Sequence, residues 1–304
     1  MTFRRAACAG ILESAIATFT LLMMGGIAPP QFGDPLPGLS HDLLARFQAG
    51  KVVFEKTFDV PGGLGPVFND TSCVNCHDQG AVGGGDNRLE THFGQVTNGV
   101  FNPLTALGGQ LIQEQGIGMF NGVTFVGEFV PPQANVVAQR RTNPLFGLGL
   151  VDAVPDQTLQ ELAQLEQLNT PDTAGRVNVV LDVPSGQQHV GRFGWKCQIA
   201  TLLDFNGNAF NNEMGITTPF FPGENPPQGN TALLAANPAR TNPNDTVATV
   251  MRSTDFTAFL APPPRLALKH ESRAGAALFL QIGCADCHVP ALQTGPNPIA
   301  ALDR

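Results

Sequence analysis

The chain has little charge, no tyrosine and a single tryptophan. Charged residues make up 14% of its 304 residues, and 34 glycines and 25 prolines interrupt its apolar segments. This composition favours a compact globule rich in loops over a disordered chain or a long helical rod. No internal stretch is long and apolar enough for a convincing membrane span. The net charge of −8 argues against nucleic acid as a partner.

Cysteines are also few, and four of the six fall in two copies of one pattern. Cys-x-x-Cys-His occurs at 73–77 and again at 284–288. This is the attachment signature of c-type haem, in which the cysteines form thioethers and the histidine binds the iron. The alternatives are zinc ligation by the four cysteines and two histidines, and a thioredoxin-like redox pair.

The two copies predict two covalently attached c-type haems. The predicted attachment residues are Cys73, Cys76, Cys284 and Cys287, and the predicted proximal iron ligands are His77 and His288. Cys197 stands alone in the sequence and is expected to be a buried small apolar residue.

The N-terminus has the pattern of an export signal. Arg4 and Arg5 precede an apolar run over 11–27, and Gly26-Ile27-Ala28 is a small-x-small cleavage site. Residues 1–28 are therefore predicted to be a signal peptide, with an uncleaved anchor helix as the alternative. Export to the periplasm agrees with the motifs, because thioethers to haem are made outside the bacterial cytoplasm.

A glycine and an aromatic residue precede both motifs at the same spacing. Gly50 and Phe54 precede the first, and Gly275 and Phe279 precede the second. On a helix, residues four apart lie on one face. We therefore expect a helix over 39–58, with Ser40 as its N-cap.

These features predict a mainly α, cytochrome c-like di-haem protein with a loop- and hairpin-rich middle region. The predicted units are a first haem domain with an extension (39–150), a connecting region with a helix and a hairpin (151–260), and the start of a second haem domain (261–304). In the connecting region, an apolar stripe from Asp156 predicts the helix, and alternation over 176–194 predicts the hairpin. Few residues follow His288, so the second domain is expected to be incomplete.

Four longer stretches resemble one protein family. They are Arg140–Asp156, Gly191–Lys196, Glu213–Thr217 and Cys287–Leu292. The chain from about 39 to 304 is similar to bacterial di-haem oxidoreductases often labelled thiol oxidoreductases, which are distant relatives of di-haem cytochrome c peroxidases. Members of that family usually continue well past the second motif, which implies that this sequence is truncated at its C-terminus.

The resemblance implies a periplasmic, peroxidase-like oxidoreductase. One haem would accept electrons from a donor protein such as a small cytochrome or a cupredoxin, and the other would reduce peroxide or a similar small oxidant. The alternative is a non-enzymatic di-haem cytochrome that relays electrons between partners.

The resemblance also implies two site residues. Trp195 matches a family stretch, and in di-haem peroxidases a tryptophan carries electrons between the haems; a core aromatic is the alternative. Met214 lies in another family stretch and is the favoured distal iron ligand. His92 is its rival for that role, and core packing is the other interpretation of Met214.

Charged side chains supply the remaining candidates. Arg140, Arg141 and Arg192 can pair with haem propionates, since a guanidinium binds a carboxylate through two hydrogen bonds, although solvated surface charges fit as well. A peroxidatic site also needs an acid–base group near the iron, for which Glu128 and Glu213 are candidates.

Overall fold

The computed structural model of the protein describes residues 29–109, 111–237 and 243–303. The predicted signal peptide, residues 1–28, lies outside the described residues and stays a prediction. None of the helices in these three ranges is both long enough and apolar enough to cross a membrane.

The described ranges contain six α-helices. They are α1 (His41–Glu55), α2 (Leu148–Asp152), α3 (Asp156–Asn169), α4 (Leu202–Met214), α5 (Val247–Phe259) and α6 (His270–Gln281). Short 3-10 helices cover Cys73–Asn75, Thr105–Leu107, Pro227–Gly229, Thr231–Ala236, Cys284–Asp286 and Ala300–Leu302.

Short strands form several small antiparallel sheets. They are β1 (Val67–Phe68), β2 (Leu89–Thr97), β3 (Val100–Asn102), β4 (Gln115–Gly116), β5 (Gly118–Phe120), β6 (Val123–Phe125), β7 (Val136–Arg141), β8 (Val179–Asp182) and β9 (Gln187–Val190). One sheet has three strands in the order β3-β2-β7, and β1 pairs with β4, β5 with β6 and β8 with β9. Along β2 and β7 the register places Glu90 opposite Arg140.

The prediction of a mainly α fold was wrong, because the structure is 35% helical and 16% strand, with several small sheets. Most of the strands lie between residues 67 and 141. This segment is rich in glycine and has no sustained helical period. Its backbone N–H and C=O groups are therefore satisfied by pairing between short strands rather than within helices.

Several local predictions agree with the structure. The helix before the first motif is α1, and the hydroxyl of its N-cap Ser40 accepts from the Leu43 amide at 3.3 Å. The stripe from Asp156 forms α3, which ends at Asn169. The alternating segment forms the β8–β9 hairpin, with a turn between Asp182 and Gln187.

The core that supports the first motif is a close crossing of α1 and α5. A Cβ at Gly50 would lie 2.2 Å from the Arg252 carbonyl oxygen, so only glycine permits this approach. The crossing is packed by Phe47 and Phe54, whose ring centroids lie 5.2 and 4.8 Å from that of Phe256. Helix α5 also packs against α4, and this contact holds α4 near the first motif.

Candidate haem site

The first motif is a tight turn. Residues Cys73–Asn75 form a 3-10 turn, and the His77 amide donates to the Cys73 carbonyl at 3.1 Å. Turns with i→i+3 bonds are common in short pieces like this one. The turn therefore fixes the backbone that carries the two thiols and the imidazole.

A hydrogen bond holds the His77 ring in one orientation. Its Nδ1 lies 2.9 Å from the Gly84 carbonyl oxygen, so Nδ1–H donates and Nε2 keeps its lone pair. Burial lowers the pKa of His77 and so favours the neutral ring. The Phe54 ring lies 6.0 Å away, centroid to centroid. Ligating histidines in proteins usually donate their second N–H in this way.

A cavity of about 100 Å³ lies against the motif. We call it the motif cavity. Cys73, Cys76 and His77 line it together with Phe54, and most of its lining is apolar. Two thiols and an imidazole beside an apolar surface are the donor set for covalent attachment of a porphyrin with one axial ligand.

One face of helix α4 lines the same cavity. The lining residues of α4 are Leu202, Phe205, Asn206, Ala209, Phe210, Glu213 and Met214. Their spacing of three and four residues places them on one side of a helix. The sequence analysis singled out only Glu213 and Met214 on this face, because α4 lies more than a hundred residues after the motif.

Of the two candidate distal ligands, one lies at the motif cavity and the other does not. Met214 lines the motif cavity and is 2% exposed, packed with Phe210 and its neighbours. His92 lines a different cavity, and its Nε2 lies 3.4 Å from a carboxylate oxygen of Glu90. The arrangement brings Met214 and His77 to one cavity.

Glu213, next to Met214, is a half-buried carboxyl at the same cavity. Burial raises its pKa to about 8, the charge of Glu90 acts in the same direction, and a hydrogen bond from the Asn69 amide at 2.8 Å opposes the rise. A carboxyl that keeps its proton near neutral pH can give it to a reacting group. Glu128 does not line the motif cavity. Its carboxylate oxygens accept hydrogen bonds from the backbone amides of Gln113 and Gln228.

The thiols of the first motif are not activated as those of a thiol redox pair are. Burial raises the pKa of Cys73 to about 12 and that of Cys76 to about 11. Thiol redox pairs depend on a thiolate, which a lowered pKa supplies. In the part of the chain that the structure describes, no three His, Cys, Asp or Glu side chains are grouped to hold a metal ion.

Arg88 is a site residue that the sequence analysis missed. It lines the motif cavity, and its Nη1 lies 3.3 Å from the Cys76 sulfur and bonds to Asp70. A single arginine in a loop has no spacing signal, so only the fold reveals this position.

A second cavity, of about 460 Å³, lies next to the motif cavity. We call it the neighbouring cavity. Trp195 and Arg140, two of the residues singled out from the sequence, both line it. Trp195 is 53% exposed, so it is not a core aromatic. Cys197, close by in sequence, is exposed, and the expectation that it is buried was wrong.

Arg141 and Arg192, the other two arginines that the sequence suggested for haem propionates, make hydrogen bonds to groups of the protein. Arg141 Nε donates to the Asp86 carbonyl at 2.8 Å. The Arg192 side chain is 8% exposed and donates to the Ala200 and Val154 carbonyls and to Asp156. Neither residue lines the motif cavity.

The second motif repeats the local geometry of the first without its surroundings. The centroids of Phe279 and His288 lie 6.0 Å apart with an interplanar angle of 56°, against 6.0 Å and 57° for Phe54 and His77. However, α6 buries no residue, and a Cβ at Gly275 would have nothing within 4 Å. Within the described residues, the second motif therefore fits haem attachment locally but lacks an enclosing wall.

Comparison with known proteins gives one match. A family model described as "Di-haem oxidoreductase, putative peroxidase" matches residues 132–304, which is more than half of the chain. The match contains α4 and the second motif, and it begins after the first motif. No curated protein and no solved structure matches the chain.

Proposed function

This chain belongs to the family of di-haem oxidoreductases, and from that premise we propose that it binds two c-type haems covalently and reduces peroxide in the periplasm. The observation that carries the proposal is the motif cavity, where Cys73, Cys76 and His77 meet a wall of α4. When bound there, haem supplies one-electron chemistry and a coordination position for the oxidant.

Each haem would be held by the two cysteines and the histidine of its motif. Cys73 and Cys76 form the thioethers at the first site, and Cys284 and Cys287 form those at the second. His77 and His288 are the proximal ligands. The bond from His77 Nδ1–H to the Gly84 carbonyl at 2.9 Å fixes the ring, and Nε2 would bind the iron when haem is present.

At the first site, the residues on α4 decide between an enzyme and an electron relay. If the distal position is open, Glu213 supplies the proton that cleavage of the O–O bond requires. If the Met214 sulfur occupies that position, the iron is closed, and the protein is a relay between redox partners. The burial of Met214 at the motif cavity is the observation that favours this second candidate function.

Electrons would enter from a small cytochrome or a cupredoxin. The second motif supports this, because His288 and the apolar residues of α6 are exposed, and an exposed haem edge is accessible to a protein donor. Trp195 would carry electrons toward the first site, and Arg140 would pair with a propionate that extends into the neighbouring cavity.

Haem content tests the attachment. The mature protein, expressed with a haem-attachment system, should carry two haems by its pyridine haemochrome spectrum and by its intact mass. The double variants Cys73→Ser/Cys76→Ser and Cys284→Ser/Cys287→Ser should each keep one haem.

Cys197→Ser is the matched control, because Cys197 is exposed and lies outside both motifs. It should keep both haems. A wild-type protein without covalent haem would contradict the proposed cofactor. A wild-type protein that carries haem but does not reduce peroxide would contradict the peroxidase function and support the electron relay.

A further inference from the structure

An open pocket of about 660 Å³ lies against the segment that follows the second motif. We call it the C-terminal pocket. Residues 289–294 line it, and the first of them directly follows His288. Apolar residues of α2 and α3, together with Arg192, supply most of the remaining lining. The pocket therefore joins the segment after the second motif to the connecting region.

The end of this segment is fixed to the same part of the chain. The Gly295 amide donates to the Ala153 carbonyl at 2.9 Å, and a Cβ at Gly295 would lie 2.8 Å from the Pro155 ring. Leu302, further on, is 7% exposed and belongs to the core cluster that contains Phe256. The chain after the second motif is thus held against the connecting region.

Two residues that line the C-terminal pocket each have a buried polar atom without a partner. Within the described residues, no group accepts from Arg192 Nε–H, and none pairs with the Thr294 hydroxyl. The Arg192 side chain is 8% exposed, and its other nitrogens donate to Asp156 and to two backbone carbonyls. Buried polar groups are normally paired, so the pocket is suited to a group that accepts from both atoms.

The lining favours a carboxylate carried by an apolar body. Nε–H belongs to a guanidinium, which favours an anionic acceptor, and a carboxylate can accept from a hydroxyl as well. Asp303 lines the same pocket, but it is exposed, and its Oδ1 accepts from the Asn297 amide at 3.0 Å. A porphyrin combines an apolar ring with carboxylates, and the second motif would attach one immediately before this segment.

We propose that Arg192 and Thr294 bind a propionate of the second haem in the C-terminal pocket, with Nε–H and Oγ1–H donating to its carboxylate. The inference rests on the proposed attachment of haem at the second motif, and it holds for a peroxidase and for a relay alike. Arg192 and Trp195 lie three residues apart, at the C-terminal pocket and the neighbouring cavity. One short stretch would thus contact the second haem and lead toward the first.

Removal of the Thr294 hydroxyl tests the contact. In the two-haem protein, Thr294→Val should shift the propionate bending band of one haem to lower frequency in resonance Raman spectra. It should also lower the midpoint potential of that haem, because the carboxylate charge is then less compensated and the ferric state is favoured. The affected haem should be the one that is absent from the Cys284→Ser/Cys287→Ser variant.

Thr173→Val is the matched control, because Thr173 is exposed and lines none of the three cavities. It should leave both bands and both potentials unchanged. Arg192→Lys keeps the positive charge but removes Nε–H, and it should shift the same band and potential in the same direction as Thr294→Val. If Arg192→Lys takes up no haem, Thr294→Val alone carries the test.

A free carboxylate is the other source of the same chemistry, and n-octanoate is the probe for it. Binding of n-octanoate to the two-haem protein, lost in Thr294→Val, would overturn the inference, because the pocket would then be open to a free ligand. A wild type without covalent haem at the second motif would remove the proposed attachment, and this inference with it. A protein that carries both haems, with bands and potentials unchanged in the Thr294 and Arg192 variants, would overturn the inference alone.

Discussion

The two helices that precede the motifs allow one substitution to be compared in two environments. Gly50 on α1 and Gly275 on α6 occupy equivalent positions, four residues before Phe54 and Phe279. A Cβ at Gly50 would lie 2.2 Å from the Arg252 carbonyl oxygen, whereas a Cβ at Gly275 would meet nothing within 4 Å. Alanine at these positions should therefore have opposite effects on stability.

The magnitudes follow from these distances. The obstacle at Gly50 is backbone, so α1 and α5 must separate by about 1 Å to restore ordinary contact, which opens the packing of Phe47 against Phe256. Such overpacking costs about 3 kcal/mol, and the higher helix propensity of alanine returns about 1 kcal/mol. Gly50→Ala should lower the free energy of unfolding by about 2 kcal/mol, and Gly275→Ala should raise it by about 0.5–1 kcal/mol.

Urea denaturation of the haem-loaded protein measures both changes. Circular dichroism follows the helices, and the Soret band follows the first haem site. Equal losses from the two substitutions would refute the reasoning, because they would mean that α6 packs against another element as closely as α1 packs against α5.

Three further predictions concern individual carboxyl and aromatic residues. Burial raises the pKa of Asp204 to about 6, so ionisation of this carboxyl opposes folding. The free energy of unfolding therefore falls as the pH rises from about 4 to 6. Asp204→Asn should raise the free energy of unfolding by about 2 kcal/mol at pH 7.5 and change it little below pH 4, as urea denaturation would show. Glu213→Gln should keep both haems but lower kcat for hydrogen peroxide by about 10²-fold, because the amide cannot give up a proton; unchanged kcat would exclude that role. Trp195→Phe should slow electron transfer between the haems in stopped-flow measurements without loss of haem, and an unchanged rate would remove Trp195 from the route.

The features that the sequence predicts are those that neighbouring residues determine. Ser40 caps α1, the stripe from Asp156 forms α3, and the alternating segment after it forms a hairpin. Each depends on spacing of two to four residues within one segment, and such patterns are visible in a single sequence. The family resemblance was confirmed because its stretches are equally local.

The features that the sequence does not predict depend on contacts between distant segments. Gly84 supplies the acceptor for His77, and Phe205 and Ala209 on α4 line the motif cavity. The short strands between 67 and 141 pair by tertiary contact and have no clear period of their own, which is why a mainly α fold was the wrong expectation. The packing around Arg192 is likewise set by carbonyls far away in sequence.

The central claim is that the first haem site is open and reduces peroxide. Low-temperature EPR of the oxidised, haem-loaded protein tests it most directly, since spin state reports whether the sixth position is occupied by a strong ligand such as the Met214 sulfur. We expect a high-spin ferric signal beside a low-spin one, with the high-spin signal lost in the Cys73→Ser/Cys76→Ser variant. Two low-spin signals, with no site opened when one haem is reduced, would contradict the enzyme and leave an electron relay.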